Sequence, residues 1–411
     1  MALRKCDTHV LRGNAYSQGL KHLGEGRGVE EIEPLTQHKD RFVRRGGAVS
    51  LGLAFLGTAK GVNRIEPLLK DEDWGVRMSA SFSLGLAFLG TGKRLKRLQA
   101  ISREHRHDIA LRLCSMMPIG LSCLGSQNAP KDIVHAARNI KEKWDIRSNA
   151  ILSLGLIFLG TGNGAELLKP LIESDDERIR LSSLFSLGMT YLGTERGLSL
   201  VDRLAEDHSN YVRMCYAFCV GLMLLGRGKG VERLKHLARD EDEYVRRGVA
   251  ASLGLVHLNT RKGLDYIYSL VDDKDKLVRM FSVISLGLSL LGSGSSEIVE
   301  ALMTKSEDRH VHRGGATALG LVFSGTKTGV ELIRAQREDK DPLVRFAAGF
   351  SLNLPFAAPP AALTALSFLY SSYGRQHGWW FSWFQSLALL AAGARWLLGE
   401  RADTDRSIDE S

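Results

Sequence analysis

The chain has 411 residues, 44% of them hydrophobic and 25% charged, a balance that suits a folded protein with an ample core and excludes wholesale disorder. A net charge of +9 implies an anionic partner only where it is concentrated, so its distribution matters more than its size. The five cysteines (Cys6, Cys114, Cys123, Cys215 and Cys219) follow no framework spacing and there is no Asn-x-Ser/Thr acceptor, which fits a reducing compartment and a cytoplasmic location.

The first residues, Met-Ala-Leu-Arg-Lys-Cys-Asp, run into polar sequence without an apolar segment, so no secretory leader is expected. Beyond them the chain is organised by a repeat. Aligned on Ser-Leu-Gly and its variants, glycines recur at Gly19, Gly52, Gly85, Gly120, Gly155, Gly188, Gly221, Gly254, Gly287 and Gly320, spaced by 33 residues except for two intervals of 35. An eleventh copy at 350–354 keeps the register with Asn353 where glycine is due.

Each unit predicts two helices. In the second unit a short helix covers 61–70, an acidic turn follows, and a longer helix covers 76–89, about 21 Å long at the usual rise. Gly57, Gly90, Gly160, Gly193 and Gly325 close the long helices, where positive φ is commonly required. Asp40, Asp73, Asp108, Asp176, Asp242, Asp275 and Asp341 each stand four residues before an arginine and are placed to cap the long helix. The arginines (Arg44, Arg77, Arg112, Arg180, Arg246, Arg279 and Arg345, with Arg147 and Arg213 in the same register) form a ladder too regular to be catalytic. Caps and ion pairs between repeats are expected of it.

An interior helix glycine costs ~1 kcal/mol relative to alanine, so ten of them are retained only for close packing. Ser50, Ser83, Ser153, Ser186, Ser252, Ser285 and Ser351 lie two residues earlier on the same helices. Small residues on the long helices, with larger ones on the short, predict strong curvature and a closed or nearly closed toroid.

The unit Ala-Val-Ser-Leu-Gly-Leu-Ala-Phe-Leu-Gly-Thr at 48–58, with its leucine-rich short helix and acidic turn, resembles the proteasome/cyclosome repeat, a relative of the HEAT repeat. That repeat occurs in the large non-ATPase subunits of the proteasome regulatory particle and the largest subunit of the anaphase-promoting complex. The resemblance covers residues 10–357. It implies eleven repeats in a toroid around axial helices, acting as a docking platform. The chain lacks the long flanking domains of those subunits, so membership of such an assembly does not follow.

Both 35-residue intervals fall between Gly85 and Gly155, and the charge is there too. Residues 93–147 hold twelve lysines and arginines against five acids, a net of +7. Lys93, Arg94, Lys96, Arg97, Arg103, Arg106, Arg138, Lys141 and Lys143 are the candidate contacts for an acidic partner, either an acidic protein segment or phosphate groups on nucleic acid or lipid. Nucleic acid is the weaker alternative, because few aromatics interleave with the cations.

Other features point to structure. His22 and His257 replace the aromatic found at Phe55, Phe88, Phe158, Tyr191 and Phe323 and are expected in the core. Cys215 and Cys219 have no second ligand pair, so no metal or other cofactor is expected. The Gly226–Gly230 segment follows no strand and is an ordinary turn. No nucleophile, zinc or phosphate-loop motif is present, which argues against an enzyme.

After Arg345 the next charged residue is Arg375, then Arg395, so two apolar helices are predicted near 360–373 and 379–398. The first is shorter than the ~20 residues that span a bilayer. The second is long enough and carries Trp379, Trp380 and Trp383 at one end and Trp396 at the other. The hairpin fits an axial plug of the toroid or a membrane anchor.

The sequence therefore describes an all-α solenoid of about eleven two-helix repeats (1–357), an apolar hairpin (358–399) and a disordered acidic tail (400–411). The expected function is a non-enzymatic scaffold for protein partners. The alternatives are a membrane-associated adaptor, or a HEAT-type nucleic-acid-binding protein or enzyme acting through 93–147.

Overall fold

The computed structural model describes residues 7–92, 95–104, 116–372, 389, 390 and 393. These residues are helical, with no strand among them. Among the described residues the long helices of the repeats are α1 (Thr8–Ser17), α2 (Arg41–Ala54), α3 (Trp74–Ala87), α4 (described over Met117–Ser122), α5 (Trp144–Ile157), α6 (Glu177–Thr190), α7 (Asn210–Met223), α8 (Glu243–Val256), α9 (Lys276–Ser289), α10 (Arg309–Val322) and α11 (Pro342–Ser351). Each packs against the long helix before and after it, and a layer of short helices lies alongside.

α3 begins at Trp74, two residues earlier than the hydrophobic pattern suggests, because Asp73 is its cap and accepts from the Val76 N–H at 3.0 Å. Asp40, Asp176, Asp242, Asp275, Asp308 and Asp341 cap their helices in the same way, and Ser209 does so for α7. The predicted short helix at 61–70 is instead a turn of α-helix (Val62–Ile65) followed by a 3-10 segment (Glu66–Lys70). Pro67 lacks the N–H that a continuing α-helix would use.

The carbonyls at the end of a helix have no partner within it. Here the preceding repeat supplies one. The N–H groups of Gly57 and Ala59 donate to Leu86 and Ala87 at the end of α3, at 2.9 and 2.8 Å. The same pair of bonds joins Gly160 and Gly162 to α6, Gly226 and Gly228 to α8, and Gly292 and Gly294 to α10. Gly57, with φ of +64°, makes the reversal that presents these donors.

A second ladder runs through the small residues. The hydroxyls of Ser50, Ser83, Ser186 and Ser285 donate to carbonyls of the previous long helix, at Ala15, Ala48, Ile151 and Ala250, at 2.7–2.9 Å. Most of the repeat glycines face the next helix's serine, while Gly188 faces Cys219, Gly287 faces Ala318 and Gly85 faces Pro118 and Leu121. A Cβ on Gly52 would lie 2.7 Å from that of Ser83, and one on Gly19 would lie 2.1 Å from the Ser50 carbonyl oxygen. The cost of glycine in a helix is thus exchanged for contact between helix backbones.

α1 packs against α11, across the whole length of the array. A Cβ on Gly13 would lie 1.9 Å from the Phe346 carbonyl oxygen, and one on Gly349 would lie 2.2 Å from that of Val10. Ser17 donates to the Phe350 carbonyl at 2.7 Å, and Tyr16 meets Phe346 edge to face.

The last described helix, α12 (Pro359–Ser372), begins at the Pro359-Pro360 pair and has 14 residues. Ala361, Ala362, Leu363 and Leu366 are fully buried, and the helix contacts α1. A Cβ on Gly393 would sit 2.6 Å from the Thr364 hydroxyl oxygen, so part of the second apolar segment lies against α12. Among the described residues no helix is long and apolar enough to cross a membrane. Most of 379–398, with its four tryptophans, and the tail 400–411 lie outside the described residues.

Candidate partner-binding surface

The arginine ladder is a structural device. Arg44 donates to both carboxylate oxygens of Asp71 in the next turn, at 2.9 and 3.0 Å, and to the carbonyls of His38 and Lys39 in its own. Arg213 and Arg246 repeat the pattern on Asp240 and Asp273. Arg77, Arg180, Arg279 and Arg345 bond to the carbonyls of their own turns. Arg279 also reaches Asp308, and Arg345 reaches Asp7 at 2.9 Å. Arg147 reaches the Ala137 carbonyl, and Arg112 lies outside the described residues.

A second set of pairs, which the sequence reading missed, joins Arg12 to Asp40, Arg45 to Asp73, Arg247 to Asp275 and Arg313 to Asp341. These acids are the caps of the following helices. Burial pushes the Asp275 carboxyl up, but the Arg247 guanidinium and the N–H groups of Val278 and Leu277 outweigh it and hold the group below the usual carboxylate range. Asp73 and Asp341 are lowered in the same way, against burial, by Arg45 and Arg313.

The histidines at the aromatic position are packing elements. The imidazole of His257 lies over Gly263, where a Cβ would come within 2.1 Å of Nε2, as Phe55 lies over Gly61 and Phe323 over Gly329. His22 covers Gly28 likewise. Leu224 covers Gly230 in the same way, so the position takes an apolar side chain or a ring. Cys215 and Cys219 are buried free thiols whose pKa values burial pushes well up, so neither is a ready nucleophile. No cluster of metal-ligating side chains occurs among the described residues.

The basic region occupies two adjacent short helices, Leu95–Glu104 and Lys131–Arg138, tied together by the Gln99 amide donating to Asp132 at 2.9 Å. Lys96, Arg97 and Arg103 are exposed on the first, and Arg138 on the second. Arg97 is already paired with Glu66 and Glu104, at 3.0 and 3.2 Å. Lys93, Arg94 and Arg106 lie outside the described residues.

Lys141 and Lys143 are exposed in the turn that leads into α5. Five residues, 139–143, make this connection, where three suffice at 71–73 and 174–176, so the two extra residues of this repeat fall here. Lys143 holds the cap position and α5 has no side-chain cap, because an ammonium has no lone pair to offer the helix N–H groups. Ile140 is 80% exposed and Trp144 is 40% exposed, with the Arg178 guanidinium 4.6 Å from the Trp144 ring centroid. The sequence reading missed both, although an isoleucine within a turn otherwise made of charged and amide residues was a visible signal.

Residues 149–180 match the family model of the proteasome/cyclosome repeat, and residues 231–311 match that of HEAT repeats. No curated protein matches the chain. The two matches support a HEAT-like repeat array, whose long-helix and short-helix layers are those described above.

Proposed function

We propose that the chain is a non-enzymatic scaffold for protein partners, built as a closed ring of eleven repeats. The observation that carries this reading is the repetition itself. The polar groups most suggestive of chemistry, the arginines and aspartates, are consumed in recurring structural contacts along the array, while turns and short helices face outward. HEAT-like repeats generally mediate protein–protein interactions, which supports the same reading.

Closure rests on α1 lying against α11, with Arg345 meeting Asp7 as its counterparts meet the next repeat. Within the ring α12 serves as a plug, in keeping with the burial of Ala361, Leu363 and Leu366. The array then has no end repeats that need a polar cap.

Affinity purification of the full chain, followed by quantitative mass spectrometry, tests the scaffold. Stoichiometric protein partners are expected. Recovery of nucleic acid or lipid with no protein above control would remove it. For the ring, a disulfide engineered between α1 and α11 should form without loss of helicity; failure to oxidise in the folded protein would count against closure.

A further inference from the structure

The turn 139–143 differs from the other described turns between short and long helices in two ways at once. Those turns place an aspartate or serine at the cap, as at Asp73, Asp176, Ser209 and Asp242, whereas this one places Lys143. It also carries Ile140, the most exposed large hydrophobic side chain among the described residues. Arg138, Lys141 and Lys143 flank it in the chain, exposed and without an ion-pair partner among those residues, unlike Arg97, which is paired with Glu66 and Glu104. An exposed apolar side chain is common by itself; here it stands in an inserted turn whose flanking cations are exposed as well, so apolar contact and charge are offered on one short edge.

We propose that the 138–144 edge docks an acidic peptide segment of a partner protein, with an apolar side chain of that segment covering Ile140 and its carboxylates meeting Arg138, Lys141 and Lys143. The inference rests on the scaffold reading and names the chemistry of one partner. Charge complementarity selects an anion. Glu142 stands between Lys141 and Lys143 in the turn, so a continuous surface of phosphates, as on a membrane or a nucleic acid, would meet repulsion there. A peptide sets its carboxylates apart and avoids it. Arg178 stacks on Trp144 beside this edge and gives it a flat wall.

The test uses the full chain and a fluorescein-labelled peptide in which glutamates flank a central Leu-Phe pair, read by anisotropy. Binding is expected to weaken with salt. K141E/K143E should abolish it, and Ile140→Ser should weaken it by about tenfold or more while leaving the salt dependence unchanged. Lys39→Glu, an exposed charge reversal in another turn, should leave it intact. Equal binding of a peptide with Leu-Phe replaced by Ser-Ser would reduce the site to bare charge and overturn the proposal. So would unchanged binding by K141E/K143E, or phosphatidylserine vesicles captured in preference to the peptide. If K141E/K143E retains every protein captured by the wild-type chain, this docking edge fails and the scaffold stands. If the wild-type chain captures none, the scaffold reading itself fails.

Discussion

The side-chain amide of Asn353 donates a hydrogen bond to the Ser17 hydroxyl oxygen at 2.9 Å, joining residues 336 positions apart in the chain. It donates to the Asn14 carboxamide oxygen as well, at 2.8 Å. Asn353 occupies the register held by glycine in the ten preceding repeats, and Ser17 occupies that of the serines most of those glycines face. Gly52 lies against Ser83, Gly254 against Ser285 and Gly320 against Ser351. At the contact between α11 and α1 a hydrogen-bonding side chain replaces the bare backbone approach.

Replacing Asn353 with alanine removes one buried and one partly buried hydrogen bond and is expected to cost about 1–2 kcal/mol in urea unfolding. Ser17→Ala should cost about 1 kcal/mol by the same principle, and the double variant less than the sum, because the two side chains share a bond. Strict additivity would mean that they do not interact.

Gly19→Ala and Gly254→Ala separate close packing from helix propensity. Propensity alone would make Gly254→Ala, inside α8, stabilising by up to ~1 kcal/mol, whereas Gly19 lies in the 3-10 segment Gln18–His22 that follows α1. The Cβ added at Gly19 would meet the backbone of Ser50 at 2.1 Å, which cannot yield, whereas at Gly254 it would meet the Ser285 hydroxyl and a Leu288 methyl at 2.5 and 2.8 Å. Both should destabilise, Gly19→Ala by roughly 3 kcal/mol or more and Gly254→Ala by roughly 1–2 kcal/mol. Thermal melts that rank them the other way would contradict this account.

Ion pairs at two depths should differ in kind. Arg247→Met leaves the Asp275 carboxylate without its partner in a largely buried site and is expected to cost about 3 kcal/mol. Arg97→Met removes exposed pairs with Glu66 and Glu104 and should cost under ~1 kcal/mol. Denaturant midpoints of the two variants, measured side by side, check the contrast.

Stability should fall in two stages as the solution is acidified. The buried His310 ring has no hydrogen-bond partner, and burial together with Arg313 lowers its pKa to about 4; burial lowers that of His257 too. A histidine whose folded pKa lies below 6.5 gives its full stability above pH 6.5 and loses it as the unfolded chain protonates, down to about pH 4 for His310. The lowered aspartates, Asp73, Asp275 and Asp341 among them, keep their contribution above pH 3.8 and lose it below that, as the folded carboxyls protonate. His310→Phe should flatten the upper stage by on the order of 2 kcal/mol. An unchanged slope between pH 6.5 and 4 would show that His310 does not titrate on unfolding.

Much of the architecture was legible because a repeat writes each structural requirement many times. The glycine register located the long helices from α1 to α11, and six of the seven expected aspartates cap theirs, Asp108 lying outside the described residues. The ion pairs were legible in type but not in partner: Arg44 precedes Asp71 by 27 residues, and nothing in one sequence distinguishes that carboxylate from Asp40, four residues away. The docking edge was legible in its charge, through Lys141 and Lys143, and illegible in its apolar centre. Ile140 resembles a core residue until the two-residue insertion is seen to carry it outward.

The sequence by itself determined the period, the helical class and the small-residue face, because these follow from local spacing and from the steric demand of backbone contact. Only the tertiary structure decided that α1 meets α11, that α12 is buried against protein and that Asn353 bonds to Ser17. Those contacts depend on curvature accumulated over eleven repeats. A small rotation at each interface, invisible in any one repeat, sets where the last helix arrives.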